Sequence, residues 1–182
     1  MKKRAAVACL FLLFFLMILL SGCFSQGKDP VTISRFLMDT KVDLTFYNIP
    51  HDEAKLLAED VFAEMARLEE LLSAHLENTD IHLLNSRAGK EAVTVSPQTA
   101  EVIKKSLELS EQTGGAFDIT IAPVLQLWGF GEEKQLVPSP DQLEKALALV
   151  DYRNVTFKNS NLVKLEREGM RLDLGGIAKG YI

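Results

Sequence analysis

The chain has 182 residues, 47% apolar and 25% charged, with 20 Lys+Arg against 25 Asp+Glu and a formal net charge of -5. That length suits one domain, or a domain with a tail, and the composition excludes a disordered or collagen-like chain. A pI near 5.3 argues against a nucleic-acid binder, which carries a basic excess or patch.

The first 22 residues stand apart. Lys2, Lys3 and Arg4 form a basic start with no acid near them, and Ala5 to Leu20 is an unbroken apolar run. A run of that length is near the lower limit for a spanning helix. It leads into Leu20-Ser21-Gly22-Cys23, which resembles the lipobox of bacterial lipoproteins. The expected organisation is a lipoprotein signal peptide over 1–22, a polar tether over 23–30, and a folded part over 31–182. Cys23 would take lipid and hold the protein to the cell membrane on its extracytoplasmic side; an uncleaved membrane anchor is the alternative. Cys9 leaves with the signal, so no thiol remains for a disulfide, a cysteine metal site or a thiol nucleophile. Without the three cations of the signal the rest is more acidic than the whole, and the mean hydropathy of +0.08 owes much to this segment.

In the folded part, Val31 to Met38 reads as a strand. Lys41 to Tyr47 alternates, with Val42, Leu44 and Phe46 on one face, which predicts a half-buried strand. Asn48-Ile49-Pro50 breaks it. From His51 to Ala74 the period is helical, and Leu56, Leu57, Val61, Met65, Leu68 and Leu72 are the expected inward face. Asn78-Thr79-Asp80 caps a short helix ending near Asn85. Glu91 to Val95 is a short strand. Ser96-Pro97 starts a helix that carries Val102, Ile103, Leu107 and Leu109 and stops at Gly114. Leu127-Trp128-Gly129-Phe130-Gly131 opens a loop. Ser139-Pro140 starts another helix, with Leu143, Ala146, Leu147 and Val150 inward. Asn154 to Phe157 and Leu162 to Leu165 make a hairpin around Asn159-Ser160-Asn161, and Met170 to Leu174 is one more strand. The fold class is α+β, or mixed α/β. The six residues after Gly175-Gly176 are too short for a stable helix, so the chain is expected to be the amino-terminal piece of a longer protein.

Two segments concentrate chemistry. Thr113-Gly114-Gly115-Ala116-Phe117-Asp118 sets a carboxylate beside paired glycines. Asp173-Leu174-Gly175-Gly176-Ile177-Ala178-Lys179-Gly180 runs from a strand through glycines to a helix start. That arrangement suits an anion, with Lys179 as a point charge for phosphate. Each has a plain structural alternative, Gly-Gly as a helix-packing device and Asp118 as a turn carboxylate. Neither segment is a dinucleotide GxGxxG or a phosphate-loop motif. His51, His75 and His82 lack close zinc spacing, and no Gly-x-Ser-x-Gly elbow occurs. From the residues alone, the reading ends at an exported lipoprotein with a phosphate-bearing ligand.

The order TGGAFDITIAP, LWGFG, DLGGIAKGY behind a lipobox resembles the ApbE family of flavin transferases. Phe36-Leu37-Met38-Asp39-Thr40 is similar to the family's Met-Gly-Thr-like element. Leu71-Leu72-Ser73-Ala74-His75 with Asp80-Ile81-His82-Leu83-Leu84-Asn85 is similar to its Leu-x-Ser-x-Tyr…Ile-x-x-Leu-Asn stretch. The resemblance implies an ApbE-like, T-fold-related sheet packed with helices, incomplete in this chain. It implies FAD as substrate and Mg2+ as cofactor. FMN would pass from FAD to a threonine or serine hydroxyl of a membrane redox subunit, and AMP would leave. Met38, His75, Ala116, Phe117, Asp118, Asp173 and Lys179 would contact FAD, with His75 where the family commonly has tyrosine. The Gly176 carbonyl would reach magnesium, and the remaining metal and catalytic groups would lie in a carboxy-terminal part. FAD storage without transfer, FAD pyrophosphatase activity and an inactive truncated product are the competing outcomes.

Overall fold

The structure, a computed structural model, describes residues 29–130 and 137–182. The signal peptide, Cys23, most of the tether and Gly131 lie outside the described residues. The described chain divides into two compact units. One holds the residues up to Ser34 with Asp43–Ala58, and the other holds Arg35–Val42 with Glu59–Ile182.

Strands β1 (Val31–Leu37) and β2 (Thr40–Phe46) pair as a two-stranded sheet. The alternation expected in β2 is present: Val42, Leu44 and Phe46 are shielded while Lys41, Asp43 and Thr45 face solvent. In the first unit Thr32 and Thr45 join through their hydroxyls at 3.0 Å, a cross-strand pair. Helix α1 (His51–Leu72) continues across both units. Its buried line is Ala54, Ala58, Phe62 and Leu72. Leu56, Leu57 and Val61, expected inward, are exposed. The inward seam follows the i, i+4 spacing of two alanines, whose small side chains allow close approach, rather than the bulkier leucines. In the second unit Arg35 forks onto the Glu59 carboxylate at 2.9 and 2.7 Å, and its guanidinium lies 4.6 Å from the centre of the Phe62 ring.

The core of the second unit gathers around helix α2 (Asp80–Ser86), strand β3 (Val93–Thr94), helix α3 (Pro97–Gln112) and the hairpin of β4 (Val155–Phe157) and β5 (Leu162–Leu165). The sheet order is β3-β5-β4, all antiparallel. Val163 at the centre of the middle strand and Ile81, Ile103, Met170 and Leu172 on its neighbours have no exposed surface. The expected caps are present. The Thr79 hydroxyl accepts from the His82 N–H, and the Ser96 hydroxyl accepts from the Thr99 N–H with Pro97 in the first turn. Gly114 and Gly115, at φ 62 and 86, turn the chain out of α3 in the left-handed conformation open to glycine. The hairpin tip is held by Asn159, whose side-chain oxygen accepts from the N–H groups of Asn161 and Leu162.

Three expectations need correction. Ala122–Leu127 is a helix, α4, so the loop expected to open at Leu127 starts only after it. Helix α5 (Pro140–Leu147) buries Ala146 but leaves Leu147 about half exposed. Met170 to Leu174 is extended yet joins no sheet. It makes one isolated parallel bridge, Arg171 to Ile121; Asn85 takes both backbone groups of Leu172, and the Asp173 N–H donates to the Ile119 carbonyl. Met170, Leu172 and Leu174 all point inward with at most 1% exposure, so the period-two pattern is real although the ladder is not. The chain closes with a single turn, α6 (Ala178–Tyr181).

Candidate functional site

A cavity of about 250 Å3 in the second unit draws on three stretches that are far apart in sequence. Met38 and Asp39 come from the β1–β2 turn, Ser73 and His75 from the end of α1, and Asp173, Gly175 and Lys179 from the last segment. Each stretch is fixed by its own backbone chemistry.

The β1–β2 turn puts Met38 at φ 52 and Asp39 at φ 53. Two successive non-glycine residues in the left-handed region are uncommon and make a tight reversal, which carries both side chains to the cavity. After α1, the Ser73 hydroxyl accepts from the N–H groups of His75 and Leu76, and the Thr79 hydroxyl donates to the Ser73 carbonyl at 2.7 Å. These bonds replace the helix partners lost at its end and fix the chain that presents His75.

The segment carrying Asp173 is clamped from two sides. The Asn85 side chain donates to the Leu172 carbonyl at 3.0 Å and accepts from its N–H at 2.6 Å. The Asp173 N–H donates to the Ile119 carbonyl at 2.8 Å. The Asp173 side chain is 17% exposed. One of its oxygens accepts from the Gly175 N–H at 2.8 Å, and the other lies 3.8 Å from Nε2 of His75. A carboxylate and an imidazole far apart in sequence therefore meet at the cavity.

The glycines do not open a fan of free helix N–H groups. Ile177 and Ala178 both donate to the Leu174 carbonyl, Gly175 donates to Asp173, and α6 is one turn long. The positive contribution here is the exposed Lys179 side chain. Tyr181 anchors the turn by donating to the Glu101 carboxylate of α3 at 3.0 Å. Burial first, and then that hydrogen bond, push the Tyr181 phenol above its ordinary range.

Ala116, Phe117 and Asp118 do not line this cavity. The Phe117 ring approaches Gly176 so closely that a Cβ on that glycine would lie 3.2 Å from it, so the two predicted motifs touch there. Ala116 is exposed. The Asp118 carboxylate turns the other way: it accepts from the N–H and hydroxyl of Thr120 and from the N–H of Tyr152. These contacts belong to the turn-carboxylate alternative, in which Asp118 ties the glycine loop to the 3-10 turn Tyr152–Asn154.

Among the described residues no three carboxylate, histidine or cysteine groups cluster as a metal cage. Magnesium takes six oxygens in near-octahedral array, of which the Gly176 carbonyl was expected to supply one. The described residues alone do not complete a magnesium shell. Sequence reasoning did not single out Asp39, Glu69 and Ser73, which also line the cavity. Asp39 and Ser73 lie within motifs quoted above without being given a role, whereas Glu69 of α1 gave no signal.

Comparison with known proteins places these features in context. The family model described as "ApbE family" matches residues 38–182. A FAD:protein FMN transferase of Klebsiella pneumoniae is 35% identical over 150 residues, covering 82% of this chain and 46% of that protein. One from Treponema pallidum is 33% identical over 139 residues, covering 73% and 38%. Among solved structures, the ApbE protein of Thermotoga maritima superposes with a TM-score of 0.75 at 33% identity, over 84% of this chain and 50% of that one. The flavin transferase ApbE of Vibrio cholerae gives 0.73 at 28% identity, with the same coverage. The chain thus spans half or less of the length of these relatives.

Proposed function

The chain belongs to the ApbE family, and on that premise we propose that the protein containing it is a FAD:protein FMN transferase. The oxygen of a threonine or serine hydroxyl attacks the phosphorus on the FMN side of the FAD pyrophosphate. The P–O–P bond breaks, AMP leaves with the bridging oxygen, and the hydroxyl proton passes to solvent or a base. FMN ends as a phosphoester on the acceptor, here proposed to be a membrane redox subunit.

The observation that carries this reading is the meeting of Met38, His75, Asp173 and Lys179 at one cavity. The four were named for FAD contact from three separate motifs, Asp173 and Lys179 sharing one. Phosphoryl transfer asks the protein chiefly for positioning and charge neutralisation. Lys179 supplies a cation for the pyrophosphate. Asp173, with one oxygen committed to Gly175 and the other facing His75, accepts a hydrogen bond from a neutral nucleotide donor. Met38 offers an adaptable apolar surface for a ring.

Mg2+ dependence is part of the proposal. The ion supplies electrostatic stabilisation of the phosphates when bound. The Gly176 carbonyl would hold the ion through one oxygen, with phosphate oxygens and water completing the shell. Attachment through Cys23 to the extracytoplasmic face of the membrane would bring the protein to its acceptor.

The test is titration of FAD into the intact protein, followed by flavin fluorescence with magnesium present. Saturable binding that weakens in Asp173→Asn is expected. Absence of FAD binding in the wild type would end this reading.

A further inference from the structure

A second cavity, of about 180 Å3, adjoins the first through Ala74, His75 and Asp173, and Arg171 lies on its wall. We propose that Arg171 makes this cavity a subsite for an oxyanion, a phosphate monoester or a carboxylate, carried on an apolar or aromatic body. The proposal rests on Arg171 and does not require the FAD reading.

Arg171 is fixed through its main chain from both sides. Its backbone forms the parallel bridge with Ile121, and the next residue, Leu172, is clamped twice by Asn85. Nε of Arg171 is buried and has no hydrogen-bond partner among the described residues. An arginine stays charged at any working pH, and a buried N–H of that cation without an acceptor is unfavourable.

The neighbours do not satisfy it. The Asn85 amide is consumed by Leu172. Among the described residues, Asp173 is the one carboxylate lining this cavity; it directs one oxygen at the Gly175 N–H and the other toward His75, and forms no ion pair with Arg171. Gln126 and His75 add polar groups to the wall, while Ala122, Leu125 and Phe130 add an apolar face. A planar fork beside neutral donors suits two oxygens of one oxyanion, and the apolar face suits the body that carries it.

The experiment uses the intact protein and calorimetric titration with AMP, adenosine, inorganic phosphate and benzoate at fixed ionic strength. In the wild type AMP should bind roughly tenfold or more tighter than adenosine. Arg171→Gln should remove most of that difference, and Arg171→Lys should recover little of it because it lacks the fork. Competition of AMP by phosphate would assign the head group to phosphate, and competition by benzoate to carboxylate; either supports the subsite. An AMP–adenosine difference that is absent in the wild type, or unchanged in Arg171→Gln, overturns it. Should Arg171→Gln not fold, arginine modification of the wild type decides. Peptide mapping after phenylglyoxal must show Arg171 protected by AMP and not by adenosine, and equal protection overturns the proposal. A wild type that fails to bind FAD but keeps the Arg171-dependent difference would sink the transferase reading alone.

Discussion

The Asn85 carboxamide pairs with both backbone groups of Leu172, 87 positions away, as a neighbouring strand would. Both residues are buried. Because the Leu172 N–H must find an acceptor, the orientation of the amide is fixed by its partners. The bond pair sets the backbone on which Arg171 and Asp173 sit.

Asn85→Ala should therefore leave a buried N–H and a buried carbonyl unpaired. Each such loss is of the order of 1–3 kcal/mol, so destabilisation of about 2–6 kcal/mol is expected. Urea unfolding of the intact protein measures it. A change below about 0.5 kcal/mol would mean that water replaces the amide without cost. FAD affinity should fall in the same variant, since Asp173 is the next residue.

Asp118 and Asp173 should separate cleanly. Asp118→Ala removes the acceptor of three hydrogen bonds that join the glycine loop to Tyr152, and should lower stability by about 1.5–3 kcal/mol. Asp173→Asn keeps an oxygen for the Gly175 N–H and should leave stability nearly unchanged. Its effect should fall on FAD, by roughly ten- to a hundredfold in affinity. Lys179→Ala should be milder, because an exposed charge is screened by solvent. Paired thermal melts and fluorescence titrations test all three variants. A loss of FAD binding in Asp118→Ala with unchanged stability would reassign that carboxylate to the ligand.

Elements with strong local signals were legible in the sequence. The β2 alternation, the Ser96-Pro97 start, the Thr79 cap and the left-handed exit at Gly114 depend on neighbouring residues and were read correctly. What escaped depends on partners distant in sequence. The alternating Met170, Leu172 and Leu174 imply an extended, buried segment, but only the position of Asn85 explains why no ladder forms. In α1, leucines outbid alanines on any hydrophobicity count, yet Ala54 and Ala58 are buried and Leu56 is 70% exposed. Of the site, the motifs supplied Met38, His75, Asp173 and Lys179. The turn of Asp118 toward Thr120 and Tyr152 was open in the sequence, and the unpaired Nε of Arg171 carried no signal there.

The β4–β5 hairpin should respond to acid through Glu166. Its carboxylate accepts from Lys158, Thr156 and Lys164, which hold its pKa at about 2, below the usual 4.5. A depressed carboxylate stabilises the fold above the unfolded value and loses that contribution as pH falls through the folded one. The stability gap between wild type and Glu166→Gln should thus be full above about pH 5 and shrink between about 4.5 and 2. Urea midpoints across that range measure it, and a gap independent of pH would exclude the charge as its source.

Cys23 should carry lipid. Labelled palmitate fed to cells should enter the wild-type protein and not Cys23→Ser, which should also leave the membrane fraction. Equal labelling of the two would show that the Leu20-Ser21-Gly22-Cys23 sequence is not processed as a lipobox.

The central claim is transfer of FMN to a hydroxyl, and mass spectrometry of an acceptor tests it most directly. The intact protein is incubated with FAD, Mg2+ and a threonine-bearing segment of a redox subunit, with a Thr→Ala copy as control. The account predicts that the threonine segment gains the mass of FMN less water, with one AMP released per transfer, and that Asp173→Asn slows both. Free FMN and AMP with an unmodified segment would make the protein a pyrophosphatase, and FAD recovered intact would make it a carrier; either result contradicts the transferase account.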